Sequence, residues 1–384
     1  MAKKKIYFSI LAVFVFIAYT LLAAQPIPPE TILTNNWIVA LDRLHDEEAI
    51  AGGSSPAGSP ANLLIPFSLG NRFGYVDSGG RLIMNREQQQ YISLSPEYWA
   101  EYAPAPKTLV INDPQSDFEI ILEDPRGYPV FMDGRIFLIS KDQTSLEELD
   151  REGNVKWCYD FEAPLTCIDA AGGYVLTGTL DGMIDLLDSN GKPVFPSFAP
   201  GASRIPVILG CRISSDGSKL AVVSGIDKQR FLFLEWYGSN DYRVTYHEFL
   251  DGEGFRREVH MSFIGNDTRL IFEQEAGLGI YDVKSRSIIT LPLPEQQFVP
   301  SSSRQEARLQ ARLLAIDTEG GDGLLFYISS GSSGDIKRFV ALKLPDMELI
   351  NIPFKSDVSF LTRLGKELFI GGGTTIASFS VNRR

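Results

Sequence analysis

The residues able to do chemistry are few and scattered. The chain has three histidines, His45, His247 and His260, and three cysteines, Cys158, Cys167 and Cys211. Metal sites built on such ligands set them at short, characteristic spacings. The histidines fall in different stretches with no such spacing and read as isolated structural or surface residues. Cys158 and Cys167 are close enough in sequence to pair across neighbouring strands, or to serve as small buried hydrophobes; with an odd count a free thiol remains either way. Gly331-Ser332-Ser333-Gly334-Asp335 comes nearest to a nucleophile elbow and fails at its last position. Gly191-Lys192-Pro193 lacks the upstream glycine of a phosphate loop, and Pro193 would block the helix that must follow. Asp317-Thr318-Glu319-Gly320-Gly321-Asp322-Gly323 is dense in carboxylates, but the position of the closing glutamate of a calcium loop holds Ile328, so it reads as a solvated turn.

Composition narrows the classes further. Of 384 residues, 44% are hydrophobic and 11% aromatic, enough to build a core. The 34 Gly and 22 Pro among 24 Phe and 14 Tyr imply many short strands joined by tight turns, and argue against an all-helical fold. A formal charge of −12 disfavours a nucleic-acid partner, because phosphate binding needs a basic surface.

The amino end carries Lys3, Lys4 and Lys5 before the 19 residues Ile6 to Ala24, whose only polar members are Tyr7, Ser9, Tyr19 and Thr20. As a helix this run would span roughly 28 Å, close to a bilayer core. Leu22-Ala23-Ala24 matches a cleavage site poorly, which favours a signal anchor over a cleaved signal peptide. The expected layout is a cytoplasmic basic flank at 1–5, a transmembrane signal anchor (or signal peptide) at 6–24, a linker at 25–61 and one folded domain at 62–384. With the lysines inside, the protein would be a single-pass inner-membrane protein. Its C-terminal domain would lie in the periplasm or outside the cell. That exported part holds 33 basic against 48 acidic residues and would repel anionic lipid, so contact with a membrane is expected through the N-terminal helix only. Ala49 to Ala61 is a flexible Gly/Ser/Pro tether. Upstream of it, Asn36 to Asp42 suits either a strand added to the main domain or the centre of a short helix.

From Asn62 onward one unit recurs: apolar runs separated by Gly/Asp turns, four runs to a unit. The clearest copies are Tyr128 to Pro164 and Pro164 to Gly201. Their last hairpins match at a constant offset of 38, Leu149, Asp150, Gly153 and Trp157 against Leu187, Asp188, Gly191 and Phe195. Asp77, Gly80 and Met84 form a third copy, with a degenerate unit between around Tyr98 to Leu122. Aspartate opening such a turn bonds the backbone two residues on, and glycine accepts the positive φ that reverses the chain. Four strands per unit indicates a propeller blade. Later units run Pro206 to Gly252, Glu258 to Pro294, Ala311 to Ser356 and Asp357 to Arg384. The last holds only three strands, so its fourth is expected from upstream of Asp77, closing the ring. The fold expected is all-β, a single propeller of seven four-stranded blades, or eight if Asn62 to Asp124 contains two.

The segments LDREGNVKW and GGYVLTGTLDGMIDLLDSNGKPVF resemble the repeat of pyrroloquinoline-quinone-type β-propellers, which include quinoprotein dehydrogenases and outer-membrane-assembly propellers. Arg212 to Ala221, and Ser262 to Leu270 with Asn-Asp in place of Asp-Gly, are similar to the strand–turn–strand motif of WD-repeat-like propellers. An enzyme of the first group would need a quinone, a metal and a catalytic aspartate in the central channel, a docking tryptophan in nearly every blade and often vicinal cysteines. Four tryptophans and no adjacent cysteines speak against it. The expectation is therefore a non-enzymatic branch, no cofactor, and a scaffold that holds an unknown protein partner in a bacterial envelope complex. Alternatives are a ligand- or cofactor-sensing propeller and a diverged dehydrogenase. In an acidic protein the basic loops are the candidate partner-binding sites: Arg256 and Arg257 in one, Arg304, Arg308 and Arg312 in the other.

Overall fold

In the computed structural model the residues described are 13–16, 19, 31–42, 64–201, 203–238, 241–251, 256–275, 277–293, 312–316, 323–330, 336–344, 346–355 and 358–383. They form eight antiparallel sheets. A long strand β1 (Thr31–Ala40) precedes them in sequence. Blade 1 is β2 (Leu64–Leu69), β3 (Arg72–Asp77) and β4 (Leu82–Glu87); blade 2 is β5 (Tyr91–Leu94), β6 (Trp99–Tyr102), β7 (Thr108–Asn112) and β8 (Glu119–Glu123). Blade 3 is β9 (Gly127–Met132), β10 (Arg135–Ser140), β11 (Ser145–Leu149) and β12 (Val155–Asp160); blade 4 is β13 (Leu165–Ala171), β14 (Tyr174–Thr179) and β15 (Ile184–Leu187). Blade 5 is β16 (Ile208–Ile213), β17 (Lys219–Ser224), β18 (Arg230–Trp236) and β19 (Tyr242–Phe249); blade 6 is β20 (Met261–Ile264), β21 (Arg269–Gln274), β22 (Gly277–Asp282) and β23 (Ser287–Leu291). Blade 7 is β24 (Arg312–Ile316), β25 (Leu324–Ser330), β26 (Lys337–Lys343) and β27 (Met347–Phe354); blade 8 is β28 (Val358–Leu364), β29 (Glu367–Gly372) and β30 (Thr375–Arg383), with β1 as its outer strand.

Burial explains why these sequences settle as blades. Second strands such as β10 (RIFLIS) and β17 (KLAVVS) are buried over consecutive residues, because both faces press on neighbouring blades. Outer strands such as β19 (YRVTYHEF) turn most of their residues to solvent. Hydrophobic clusters lie between each pair of successive blades and join the eighth to the first, where Phe369 and Ile376 pack with Leu41, Ile65 and Phe67.

The ring closes through β1, which pairs antiparallel with β30 from Thr31↔Arg383 to Ala40↔Thr375. Asn36 Nδ2 donates to Ser378 Oγ at 3.2 Å, and Ser380 Oγ donates to Asn36 Oδ1 at 2.8 Å. Leu41 N–H reaches the Thr374 carbonyl at 2.7 Å. The strand missing from the last blade is thus supplied from upstream of Asp77, inside the 25–61 stretch. The tether at 49–61 lies outside the described residues.

Two parts of the expected layout are corrected, the blades and the amino end. Seven blades become eight, because Asn62 to Asp124 holds two sheets. Blade 2 hides in the sequence because its inner strands are four residues long and its outer hairpin turns on Asp113-Pro114-Gln115-Ser116 with no glycine. Its signature survives in Asp113 Oδ1, which accepts the Gln115 N–H at 2.7 Å in the manner of Asp150 with Glu152 at 3.0 Å. Among the described residues, blades 1 and 4 have three strands, not four; in blade 4 the stretch after Asp188 makes only the bridges Ile184↔Phe198 and Leu187↔Pro193.

The second correction concerns the amino end. Of the run 6–24, only Val13–Phe16 and Tyr19 are described, as helix. Among the described residues no helix is long and apolar enough to cross a membrane. The transmembrane anchor and the single-pass inner-membrane localisation built on it are not supported. The remainder of 6–24 lies outside the described residues.

Candidate interaction surface

The two basic loops fare differently. Arg256 is exposed. Arg257 is engaged: its guanidinium grips Glu273, 1% exposed in its side chain, through Nη1 at 2.8 Å and Nη2 at 2.6 Å. A fork-to-fork pair of this kind fixes Arg257 as support for β21. Arg304 and Arg308 lie outside the described residues. Arg312 opens β24, pairing in register with Ser330. Of the five arginines, Arg256, Arg257 and Arg312 are therefore placed, on blades 6 and 7 or the stretch before them.

The other motif candidates also resolve. His247 and His260 are exposed, on different blades, and His45 lies outside the described residues. Among the described residues no group of three or more His, Cys, Asp or Glu is placed to hold a metal. Cys158 is exposed on β12, whereas Cys167 and Cys211 are buried in one cluster between blades 4 and 5, and all three are free thiols. Of the carboxylate-rich stretch 317–323 only Gly323 is described, and 331–335 lies outside.

A different surface emerges on blade 5. Strand β18 ends in Trp236, and Tyr237 follows in the turn to β19; they are 51% and 53% exposed. Both stand beyond Leu234, the last buried position of β18, where neither face of the blade is covered by its neighbours. The pair Trp236-Tyr237 before Gly238 was the legible signal. The Arg243 guanidinium sits 5.1 Å from the centre of the Tyr237 ring. Arg286, from the outer turn of blade 6, reaches Glu235 at 2.9 Å and is held charged by the Tyr237 hydroxyl and then by Glu235. At the far end of β19 the exposed Phe249 ring carries Lys228 at 5.2 Å and Arg230 at 5.6 Å. Val244, also exposed, lies between. The outer hairpin of blade 5 is thus a strip with exposed aromatics at its two ends, Trp236 and Tyr237 at one and Phe249 at the other, with Arg243 over Tyr237 and Lys228 and Arg230 over Phe249.

This strip hangs on a frame whose inner turns are tied together. Ser215 N–H and Oγ both donate to Asp267 Oδ2, at 2.9 and 2.5 Å, joining the β16–β17 turn to the β20–β21 turn. Tyr242 Oη donates to the Gly217 carbonyl at 2.7 Å, and burial pushes that phenol up to about 12. Arg212 Nε donates to the Met261 carbonyl at 2.8 Å.

A β-propeller protein family model matches residues 1–383. The chain belongs to that family. This propeller is 27% identical over 318 residues to an uncharacterized protein of Treponema pallidum (strain Nichols), a match spanning 80% of this chain and 83% of that one. Among solved structures it resembles BamB from Moraxella catarrhalis, with a TM-score of 0.56 and 11% identity over 91% of this chain and 100% of that chain. A β-propeller domain of Cps50 (Swd1) from Myceliophteria thermophila also matches, with a TM-score of 0.48 and 11% identity over 84% of this chain and 100% of that chain. The broad expectation of a β-propeller therefore stands; at these identities the solved neighbours speak to the fold alone.

Proposed function

We propose that this propeller is a non-catalytic scaffold that binds a protein partner, with the outer strand of blade 5 as part of the contact. The observation that carries this reading is the half-exposed pair Trp236 and Tyr237 at the outer hairpin of blade 5, with Arg243 and Arg286 at Tyr237, a combination of aromatics and arginine that favours protein interfaces. The fold likeness to BamB from Moraxella catarrhalis is compatible with it. An envelope complex is the setting we favour for that partner. Trp37 packed over Gly80 in the outer turn of blade 1 and Trp157 over Gly191 in that of blade 4 support placing those repeats nearest the pyrroloquinoline-quinone type.

A photo-crosslinking residue at position 237 in intact cells is expected to capture one partner. Trp236→Ser combined with Tyr237→Ser should abolish that capture in a pull-down while the thermal unfolding midpoint stays unchanged. Equal capture from position 83, on the outer strand of blade 1, would remove blade 5 as the contact surface. Charge reversal at Arg304, Arg308 and Arg312 tests whether the second basic loop contributes; it is expected to weaken the same capture.

A further inference from the structure

A shallow, solvent-open cleft of about 540 Å³ lies between blades 1 and 2, lined by Gly70, Asn71, the run Gln88-Gln89-Gln90-Tyr91, Ala103 and Pro104. Its size falls in the range of small-molecule sites, about 300–1,000 Å³. Its chemistry is unlike the rest of the surface: in a chain with 22% charged residues, no charged side chain lines it.

The nearby carboxylates are already committed. Glu101 Oε1 accepts the backbone N–H groups of Gln89 at 2.6 Å and Gln90 at 2.9 Å, and Glu87 accepts from Asn71 Nδ2 at 2.9 Å. Gln88 Nε2 donates to the Gln90 carbonyl at 2.8 Å, so the glutamine run is a pinned strap. Gln89 and Gln90 themselves are exposed. Each carries an amide that offers two donors and an acceptor.

Beside these amides stands Tyr91, 59% exposed. Its ring is propped from behind. Tyr102 stacks on it with centroids 6.1 Å apart, and Tyr128 stacks on Tyr102 at 6.4 Å and 8°. A tyrosine held at a fixed angle next to uncharged amides offers a flat apolar platform and paired hydrogen-bond groups. That combination suits a ring with C–H groups on one face and neighbouring hydroxyls at its rim.

We propose that the cleft between blades 1 and 2 binds a neutral saccharide, its ring laid on Tyr91 and its hydroxyls bonded by the amides of Gln89 and Gln90. The test uses the full chain and ligand-observed NMR with two uncharged probes, chitotetraose and cellotetraose, beside a tetragalacturonate and an uncharged Gly/Gln tetrapeptide. At least one neutral saccharide is expected to show saturation transfer. Tyr91→Ala should weaken its binding at least tenfold with no change in the unfolding midpoint. Gln89→Ala with Gln90→Ala should weaken it severalfold. The charged saccharide is expected to bind more weakly. Silence from both neutral probes at millimolar concentration, binding that survives Tyr91→Ala, or binding of the tetrapeptide alone would each overturn the proposal.

Discussion

Every pair of successive blades shares a buried core, but blades 1, 3 and 4 are also joined to their predecessors by a roofed glycine at the outer rim, whereas between blades 5 and 6 the core itself is a stack of aromatics. In the first group a side chain from the preceding blade's outer strand roofs the glycine of the next blade's outer turn. Trp37 covers Gly80 and donates its indole N–H to the Ser78 carbonyl at 2.9 Å. Ile120 and Leu122 cover Gly153, and Trp157 covers Gly191. Between blades 5 and 6 the contact is an aromatic stack in the core. Phe231 and Phe272 lie 4.7 Å apart and nearly parallel at 9°, and Phe233 and Tyr281 lie 4.6 Å apart, all four buried. One ring therefore closes with two kinds of joint. The rim joint depends on a missing Cβ, and the core joint depends on apolar volume.

The largest effect should come from breaking the core joint. Phe272 is fully buried against Phe231, so Phe272→Ala is expected to cost about 3–5 kcal/mol in chemical denaturation, as large truncations in cores do. A loss below about 1 kcal/mol would mean that this interface repacks and that the two joints are alike.

The rim joint breaks in the opposite direction, by addition. Gly191 has φ +73°, and a methyl group there would come within 2.5 Å of the Trp157 ring. Gly191→Ala is expected to destabilise by about 2–3 kcal/mol, from backbone strain and overpacking together. Trp157 also donates to the buried Glu148 at 2.9 Å, and that carboxylate takes Arg135 and Lys156 as well. Burial alone would raise its pKa, but these two cations hold it below the usual carboxylate range. In the double variant with Trp157→Ala the clash disappears, so the combined loss should fall short of the sum. Additive losses would show that the glycine is needed for its turn and not for the tryptophan.

The same contrast explains which parts of the protein were legible in the sequence. The rim joint leaves a local signature, since an aspartate and a glycine three residues apart define the turn whatever surrounds it. That made blades 3 and 4 readable residue by residue. Blade 2 has the aspartate without the glycine, so the degenerate unit expected around Tyr98 to Leu122 merges with blade 1 in a count of seven, although Asp113 falls 36 residues after Asp77 and 37 before Asp150. The closing strand was expected from topology, but its identity rested on Trp37, whose partner Gly80 is 43 residues away in sequence. The blade 5 surface is less legible because Arg243, on β19, and Arg286, in the outer turn of blade 6, meet Tyr237 from different blades. Charge counting alone led to Arg257, whose charge serves Glu273. If the turn is the whole signal, Asp113→Ala and Asp150→Ala should lower the melting temperature by the same small amount, about 1–2 °C each. A markedly larger fall for Asp150→Ala would tie the aspartate to the roofed glycine.

The smallest expected effect contrasts two aspartates next to strand β16. Asp216 is exposed at its turn. Its slight burial pushes upward, but hydrogen bonds from Ser218 and Ser214 outweigh this and hold it down to about 2. A depressed carboxyl lends stability that is present above its unfolded pKa and is lost as pH falls toward 2. Asp169 on β13 behaves oppositely. Burial pushes its pKa up, against the pull of Arg212 and of the Ile213 N–H, which it accepts at 2.8 Å. The folded state therefore holds that proton more tightly than the unfolded chain does, and stability is lost as pH rises from about 3.8 through the raised value. Asp169→Asn keeps an oxygen acceptor for Ile213 and removes the charge. At neutral pH the variant should be at least as stable as the parent, with the difference vanishing below pH 3.8 in urea titrations repeated across pH. A variant that is less stable at neutral pH would mean that the Arg212 charge depends on Asp169, making the inner strands of blades 4 and 5 an electrostatic joint as well as a packed one.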